Sequence, residues 1–352
     1  MSTITILGAG VMGSAMCLPA RDRGHSVRLV GTHLDRHMID SVTATGLHPK
    51  LNVTLPGGVS PHHHEDFANA LADDTDLIVL GVSSAGVGWA IDRLCESLKS
   101  PVPVVMITKG MQPAADRLIA LPDQVSAEVK QRTGMQLNIA AIGGPCIAGE
   151  LAVRRQTGTV ITSHDKDFAQ SLCAMFETDY YHPRMSEDVI GVEICAAFKN
   201  FFAISVGWAA GHLEKMPETQ NRAINHNAAA IIFDQAIREL MVLVRAHGGT
   251  EQSVWGMPGA GDLYVTCQAG RNSRLGNNLG RGLSYQQTKD GPMKGDTIEG
   301  AELGVTVAGT LRAMMNAGTL DTAALPLTSA LLDALTNDTP LDIPWTSFHR
   351  KM

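Results

Sequence analysis

A short apolar run, Thr3-Ile4-Thr5-Ile6-Leu7, passes directly into Gly8-Ala9-Gly10-Val11-Met12-Gly13 and then into a helix-forming stretch from Ser14 to Arg23. No other feature of the chain restricts its fold as much. A strand that meets a glycine turn and then a helix is the opening of a parallel α/β sheet. Gly8 permits the tight turn, Gly10 lets a pyrophosphate reach the backbone, and Gly13 lets the helix lie close on the strand. Amides at the helix start would face the phosphates. A dinucleotide contacted by Gly8, Gly10, Val11, Met12 and Gly13 is therefore expected.

Further strands are predicted at Ser26–Val30, Leu77–Val82, Val104–Ile107, Asn138–Ile142 and Thr159–Thr162, separated by helices such as Val87–Leu98 and Asp167–Phe176. This alternation indicates an N-terminal, Rossmann-type, doubly wound and mostly parallel sheet, an α/β domain over residues 1–186. Ligands of such sheets lie beyond the carboxyl ends of the strands, where Lys109 follows the fourth strand and is expected to face the crevice. From about Glu187 the strand pattern stops, and alanine- and leucine-rich segments predict an all-helical C-terminal domain over residues 187–352. Its tail, through Pro344-Trp345-Thr346, is expected to dock as a last helix with an irregular end.

Composition removes several function classes. A formal charge of -7 opposes broad nucleic-acid binding, which needs an excess of Lys and Arg. Six scattered cysteines form neither a zinc set nor a disulfide framework and suit a reducing, cytoplasmic setting. No signal peptide and no apolar run of membrane-spanning length are expected. Pro61-His62-His63-His64-Glu65-Asp66 contains metal-ligating residue types, but consecutive positions rarely converge on one ion. It is expected to be a solvated loop, with no metal bound.

The cofactor's flavour stays open. A carboxylate at the tip of the second strand would grip the ribose hydroxyls of NAD, yet the tip reads Val30-Gly31-Thr32-His33-Leu34-Asp35-Arg36. Asp35 comes late, and Thr32, His33 and Arg36 could instead receive the 2′-phosphate of NADP.

Two clusters carry the chemistry of the second half. Lys199 would share a helix face with Val192, Cys195, Ala196, Phe202, Ala203 and Val206, all apolar. Desolvation there favours the neutral amine unless a carboxylate restores the charge, and Asp262 is the candidate carboxylate. The run Gly259 to Gly276 joins Asp262, Thr266 and Asn272 to Arg271 and Arg274. The guanidiniums suit phosphate oxygens and the other side chains suit hydroxyls, so a phosphorylated polyol is expected. Asp262 and Thr266, four apart, share a face if this segment is helical.

With Gly8-Ala9-Gly10-Val11-Met12-Gly13, Thr108-Lys109-Gly110, Phe198-Lys199-Asn200, Gly261-Asp262-Leu263, Thr266-Cys267, Gly270-Arg271-Asn272 and Glu299-Gly300 in this order, the chain resembles the soluble NAD(P)-dependent glycerol-3-phosphate dehydrogenase family over about residues 3–310. The resemblance implies hydride transfer at C2 between sn-glycerol 3-phosphate and dihydroxyacetone phosphate, with Lys199 as general acid and base. It implies Lys109, Asp262 and Thr266 as its catalytic companions and Asn200, Arg271 and Asn272 as substrate contacts. Ala148, Arg271 and Glu299 join the glycine loop as cofactor contacts, and a homodimer is implied.

The chain departs from that pattern where Ala209-Ala210-Gly211-His212 replaces an Asp-Gly pair and where Ala229 and Gln235 replace two cations. His212, Lys215, Arg222 and His226 also fall outside it. A larger polyol phosphate is thus an alternative substrate. A second alternative is a β-hydroxyacid dehydrogenase, although that class places Asn four residues after its lysine and here Asn200 follows Lys199 directly. A nucleotide-sensing protein without catalysis would have lost Lys199, which is present.

Overall fold

The computed structural model of the chain describes residues 1–72 and 74–348, so the last stretch of the expected tail, 349–352, lies outside the described residues. The chain divides into two compact units, residues 1–109 with 120–189, and residues 110–119 with those from 190 onward.

The first unit is built on eight strands: β1 Thr3–Leu7, β2 Ser26–Val30, β3 Val59–His62, β4 Leu77–Leu80, β5 Val104–Met106, β6 Ile139–Gly143, β7 Thr157–Ser163 and β8 Tyr181–Ser186. Their order across the sheet is β8-β7-β6-β5-β4-β1-β2-β3. All neighbouring pairs are parallel except β6 with β7. The winding reverses between β1 and β4, which places the turn after β1 at the switch point where such sheets hold their ligands. The helices include α1 Val11–Ala15, α2 Cys17–Asp22, α3 Arg36–Thr45, α4 Val87–Ser97, α5 Leu121–Thr133 and α6 Lys166–Phe176. Side chains alternate across the sheet. Ile4, Ile6, Leu29 and Val79 pack with Leu18, Leu172 and Phe176 on one face. Leu7, Val30, Leu80 and Met106 pack with Ile91, Leu94 and Val125 on the other.

Three details differ from the sequence-based expectation. The helix expected over Ser14–Arg23 is two pieces that meet at Met16, because Pro19 has no N–H to continue the ladder to Ala15. Pro61 and His62, expected to belong to a solvated loop, close the edge strand β3, in which Pro61 stands opposite Leu29. An edge strand needs hydrogen bonds on one side only, so it tolerates Pro61. The strand β8 was not expected, since His182, Pro183 and Arg184 hide its period behind polar edge-strand chemistry.

The second unit contains α7 Val189–Leu213, α8 His226–Ala246, α9 Asp262–Gln268, α10 Arg271–Gly280, α11 Glu299–Asn316 and α12 Pro326–Thr336. It also takes up most of a hairpin, Met111–Pro113 with Leu118–Ala120. Met111 and Leu118 enter its core, and Thr310 Oγ1 donates to Ala114 O at 2.7 Å. Beyond α12 the tail stays docked: Leu341 and Ile343 are buried, and Trp208 Nε1 donates to Leu341 O at 3.0 Å. Contrary to expectation, α7 is long and apolar enough to cross a membrane by length and composition. Yet 89% of its most apolar window is buried inside the protein, where Phe198, Phe201 and Phe202 form edge-on and tilted ring contacts. It is the central core helix of this unit.

Glycines decide how closely other helices approach α7. A Cβ on Gly207 or Gly211 of α7 would overlap the Ser273 or Asn277 carbonyl of α10. Reciprocally, a Cβ on Gly276 or Gly280 would overlap the Ile204 or Trp208 carbonyl. Spacing of four residues on both helices puts each pair on one face, and the two backbones touch along this seam. On a third helix, α11, Gly300 meets the Asn200 carbonyl in the same way. Gly276→Ala is therefore expected to lower stability by about 1–3 kcal/mol or more, since backbone rather than a flexible side chain must move. Gly309→Ala, exposed on α11 with nothing near its Cβ position, is expected to be neutral or stabilising by up to about 1 kcal/mol. Urea unfolding of the two variants checks both.

Candidate active site

In the first unit the glycine turn has the geometry that its sequence calls for. Gly8 has φ +116°, and a Cβ there would meet Gly81 O at 2.6 Å. Gly13 presses on the Gly8 carbonyl, whereas nothing lies within 4 Å of a Cβ at Gly10. The space beside Gly10 is the open cradle a pyrophosphate needs, so these residues fit a dinucleotide. Val11 is exposed and Met12 half-buried at the turn. Thr108 Oγ1 donates to Val82 O at 2.7 Å, which fixes the end of β5. Lys109 follows it, half-buried, with Nζ 3.4 Å from Gly144 O. Ala148 opens a short helix, Ala148–Ala152.

At the tip of β2, Asp35 faces inward. Its Oδ2 accepts from Thr32 N at 2.9 Å, Thr32 Oγ1 at 2.8 Å and Ala9 N at 3.2 Å. His33 and Arg36 are exposed, and Arg36 pairs with Glu65. Among the described residues no group of three or more His, Cys, Asp or Glu is arranged to hold a metal ion.

In the second unit Lys199 and Asp262 meet. Lys199 Nζ donates to Asp262 Oδ1, and the two residues are only 8% and 1% exposed. A wide π turn, Met257–Gly261, leads into α9 and sets Asp262 as its first residue. That turn requires Gly259, whose Cβ would overlap the Val254 carbonyl. One turn further, Thr266 Oγ1 donates to Asp262 O at 2.7 Å. Burial pushes the adjacent Cys267 thiol up to about 12, partly offset by the Lys199 charge, so this cysteine stays a neutral thiol.

Next to the pair, two amides close a relay across three helices. Asn272 Nδ2 donates to Asn200 Oδ1 at 3.1 Å, and Asn272 Oδ1 accepts from Gly300 N at 2.9 Å. Asn200 Nδ2 donates to Glu299 Oε2 at 3.1 Å, and Arg271 lies 3.5 Å from the other Glu299 oxygen. Sequence reasoning named Asn200, Asn272, Arg271 and Glu299 but missed that they bond one another. Asn200 and Asn272 are buried with both ends of their amides engaged, while Arg271 and Arg274 are exposed guanidiniums, the second 3.4 Å from Asp296.

The departures from the family pattern also find their places. Ala209, Ala210 and Ala229 line a cavity of about 570 Å³ with Val206, Cys267 and Arg274. His212 stacks on Trp208 with ring centroids 4.2 Å apart. Lys215, Arg222 and His226 are exposed. Gln235 turns inward and donates to Glu239 Oε1 at 2.8 Å.

These features define a class: a doubly wound dinucleotide-binding unit carried with a helical unit that holds a buried lysine–carboxylate pair, as in nicotinamide-dependent dehydrogenases. Comparison with known proteins narrows it. Residues 3–169 match the family model for the N-terminus, and residues 188–344 that for the C-terminus, of NAD-dependent glycerol-3-phosphate dehydrogenase. The NADP(+)-dependent glycerol-3-phosphate dehydrogenase of Archaeoglobus fulgidus is 34% identical over 290 residues, covering 82% of each chain. The glycerol-3-phosphate dehydrogenase [NAD(P)+] of Bacillus pumilus is 30% identical over 85% of this chain and 82% of its own. The crystal structure of the Coxiella burnetii glycerol-3-phosphate dehydrogenase superposes with a TM-score of 0.78 at 25% identity, over 99% of this chain and 97% of that one. The chain belongs to the NAD(P)-dependent glycerol-3-phosphate dehydrogenase family and is an oxidoreductase of CH–OH groups that uses NAD or NADP.

Gln235 leaves Glu239 without a cation at that position, and the consequence is measurable. Burial pushes the Glu239 carboxyl up to about 7 from 4.5. Bonds from Thr328 Oγ1, Gln235, Leu327 N and Thr328 N hold it back. The folded protein therefore keeps this proton to higher pH than the unfolded chain. Stability from this group is full below about pH 4.5 and falls by on the order of 3 kcal/mol as pH rises through 7. Denaturant unfolding of wild type and Glu239→Gln between pH 5 and 8 should show that slope in the first and its loss in the second.

Proposed function

We propose that the chain interconverts sn-glycerol 3-phosphate and dihydroxyacetone phosphate, the first unit holding the dinucleotide and the second supplying the substrate and acid–base groups. The observation that carries this is the buried Lys199–Asp262 pair with Thr266 one turn further on the same helix as Asp262, in a unit that also carries the exposed guanidiniums of Arg271 and Arg274. The nicotinamide, when bound, supplies or accepts the hydride at C2. In reduction Lys199, as ammonium, gives a proton from Nζ to the oxygen that becomes the C2 hydroxyl, and in oxidation it takes that proton back. Asp262 keeps the lysine charged and aimed. Because the Thr266 hydroxyl spends its proton on Asp262 O, its lone pairs are left to accept from a substrate hydroxyl.

Arg271 and Arg274, in loose exposed ion pairs, can exchange a carboxylate for phosphate oxygens at little cost. Asn200 and Asn272 brace the helices that carry these groups, and Glu299 orients Arg271 beside the cofactor. Ala148 and the glycine turn are read as further cofactor contacts. Lys109 is read, on the family resemblance, as a second positive charge for the reacting oxygen. Six free thiols support a reducing cytoplasmic setting. Exposed Trp255 and Tyr264 on the helical unit support a homodimer.

A second reading, a larger polyol phosphate, draws on the cavity lined by Ala209, Ala210 and Ala229. Turnover of dihydroxyacetone phosphate, unphosphorylated dihydroxyacetone and four- or five-carbon ketose phosphates with NADH and NADPH separates the two. Fast turnover of dihydroxyacetone phosphate alone is the expected result, and turnover of only a longer ketose phosphate would replace it with the second reading. Lys199→Ala is expected to lower kcat by a few hundredfold or more, about 3–4 kcal/mol of barrier. A loss below tenfold would remove Lys199 from the proton transfer.

A further inference from the structure

The helical unit contains a cavity that the proton transfer does not use. It measures about 570 Å³, inside the span of small-molecule sites, roughly 300–1,000 Å³. Val206, Ala210 and Leu213, on one face of α7 by their spacing, make its apolar walls with Ala229 of α8 and Ile224 just before that helix. Ile224 is 60% exposed. Asn225 Nδ2 donates to Ala209 O at 3.0 Å, which holds this wall against α7. From α10 the lining takes Arg274, and among the described residues it contains no Asp or Glu.

Two features separate this cavity from the reacting groups. Lys199, Asp262 and Thr266 are not in its lining. Val206 follows Lys199 by seven residues, about 10 Å along the axis, and helical side chains lean toward the N-terminus, so Lys199 leans away from it. The walls also suit a different ligand. Glycerol phosphate carries oxygen on every carbon, as a longer polyol phosphate does, and burying hydroxyls against Leu213 and Ile224 without partners is costly. A saturated chain meets those walls at no such cost. A phosphate head on that chain suits Arg274, whose exposed ion pair to Asp296 at 3.4 Å is loose enough to exchange.

We propose that this cavity is a regulatory site for a phosphate carried on a short saturated chain, which takes Arg274 from the substrate phosphate and so raises KM without changing kcat. The inference rests on the reading of Arg274 as a substrate phosphate group, so binding and turnover are measured separately. Calorimetric titration of the full chain with hexyl phosphate, butyl phosphate, hexanol and inorganic phosphate tests the cavity. Hexyl phosphate should bind at one per chain, about tenfold or more tighter than hexanol or inorganic phosphate. Each methylene beyond butyl phosphate should tighten binding by about two- to fourfold. Ile224→Ser, at an exposed position, should weaken hexyl phosphate by about fivefold while leaving kcat and KM for dihydroxyacetone phosphate within about twofold. Hexyl phosphate at about ten times its Kd should raise that KM by about tenfold and leave kcat within about twofold. Equal binding of the three phosphates, equal binding of hexanol, or undiminished binding in Ile224→Ser would overturn the cavity as the site of such a ligand. Hexyl phosphate that binds without moving KM would overturn the regulatory role. Turnover of a five-carbon ketose phosphate with a KM raised by Ile224→Ser would overturn it too, making the cavity a substrate pocket. Failure of wild type to turn over any of these ketose phosphates would overturn the dehydrogenase reading, while the titrations would still decide what the cavity binds.

Discussion

The contact of backbone against backbone along α7 is the constraint on which the helical unit depends. Gly207 and Gly211 face Gly276 and Gly280, and Gly300 reaches the same helix one residue from Lys199. At each point a single methyl group would overlap a carbonyl. The short approach is what lets the Asn272 amide, on one helix, bond Asn200 on a second and the Gly300 N–H on a third. Helices separated by ordinary side chains lie about 8–10 Å apart, beyond the span of one asparagine between main chains. The seam therefore converts a set of polar residues scattered along the chain into one relay.

Placing a charge in such a tightly packed unit is costly unless a partner accompanies it. Lys199 and Asp262 meet that requirement together, since either alone would leave an uncompensated buried charge. The pair is weak evidence for stabilisation, because a well-packed apolar pair of similar volume would serve the fold at least as well. Glu239 solves a related problem differently. Its carboxyl keeps its proton to higher pH, and the two amides at the start of α12 with Thr328 and Gln235 offset only part of the cost of burial.

Much of the fold was legible because its signals are local. β1 and β2 fall on the predicted residues and the other expected strands lie within a few residues of their predicted ends, since buried parallel strands write continuous apolar runs. The edge strands β3 and β8 were not legible: a strand paired on one side can carry Pro61 or Pro183 and polar side chains, and then it resembles a loop. The candidate site divides in the same way. Lys199 could be singled out from the apolar face around it, and Asp262 proposed as its partner. That Asp35 turns inward, and that Asn200, Asn272 and Gly300 form one relay, could not be read.

By itself the sequence determined the dinucleotide-binding turn, the alternation that builds the sheet, the change to helices near residue 187 and the residue types available for chemistry. These depend on interactions within a few residues of one another, where spacing alone fixes geometry. Only the tertiary structure decided which partner each polar group takes. It set Asp35 on Thr32 and Ala9, Gln235 on Glu239, and His64 beside His33 and Trp89. A hydrogen bond or ring contact depends on ångström-scale approach between segments far apart in the chain, and that distance is set by sheet pairing and helix packing rather than by order along the chain.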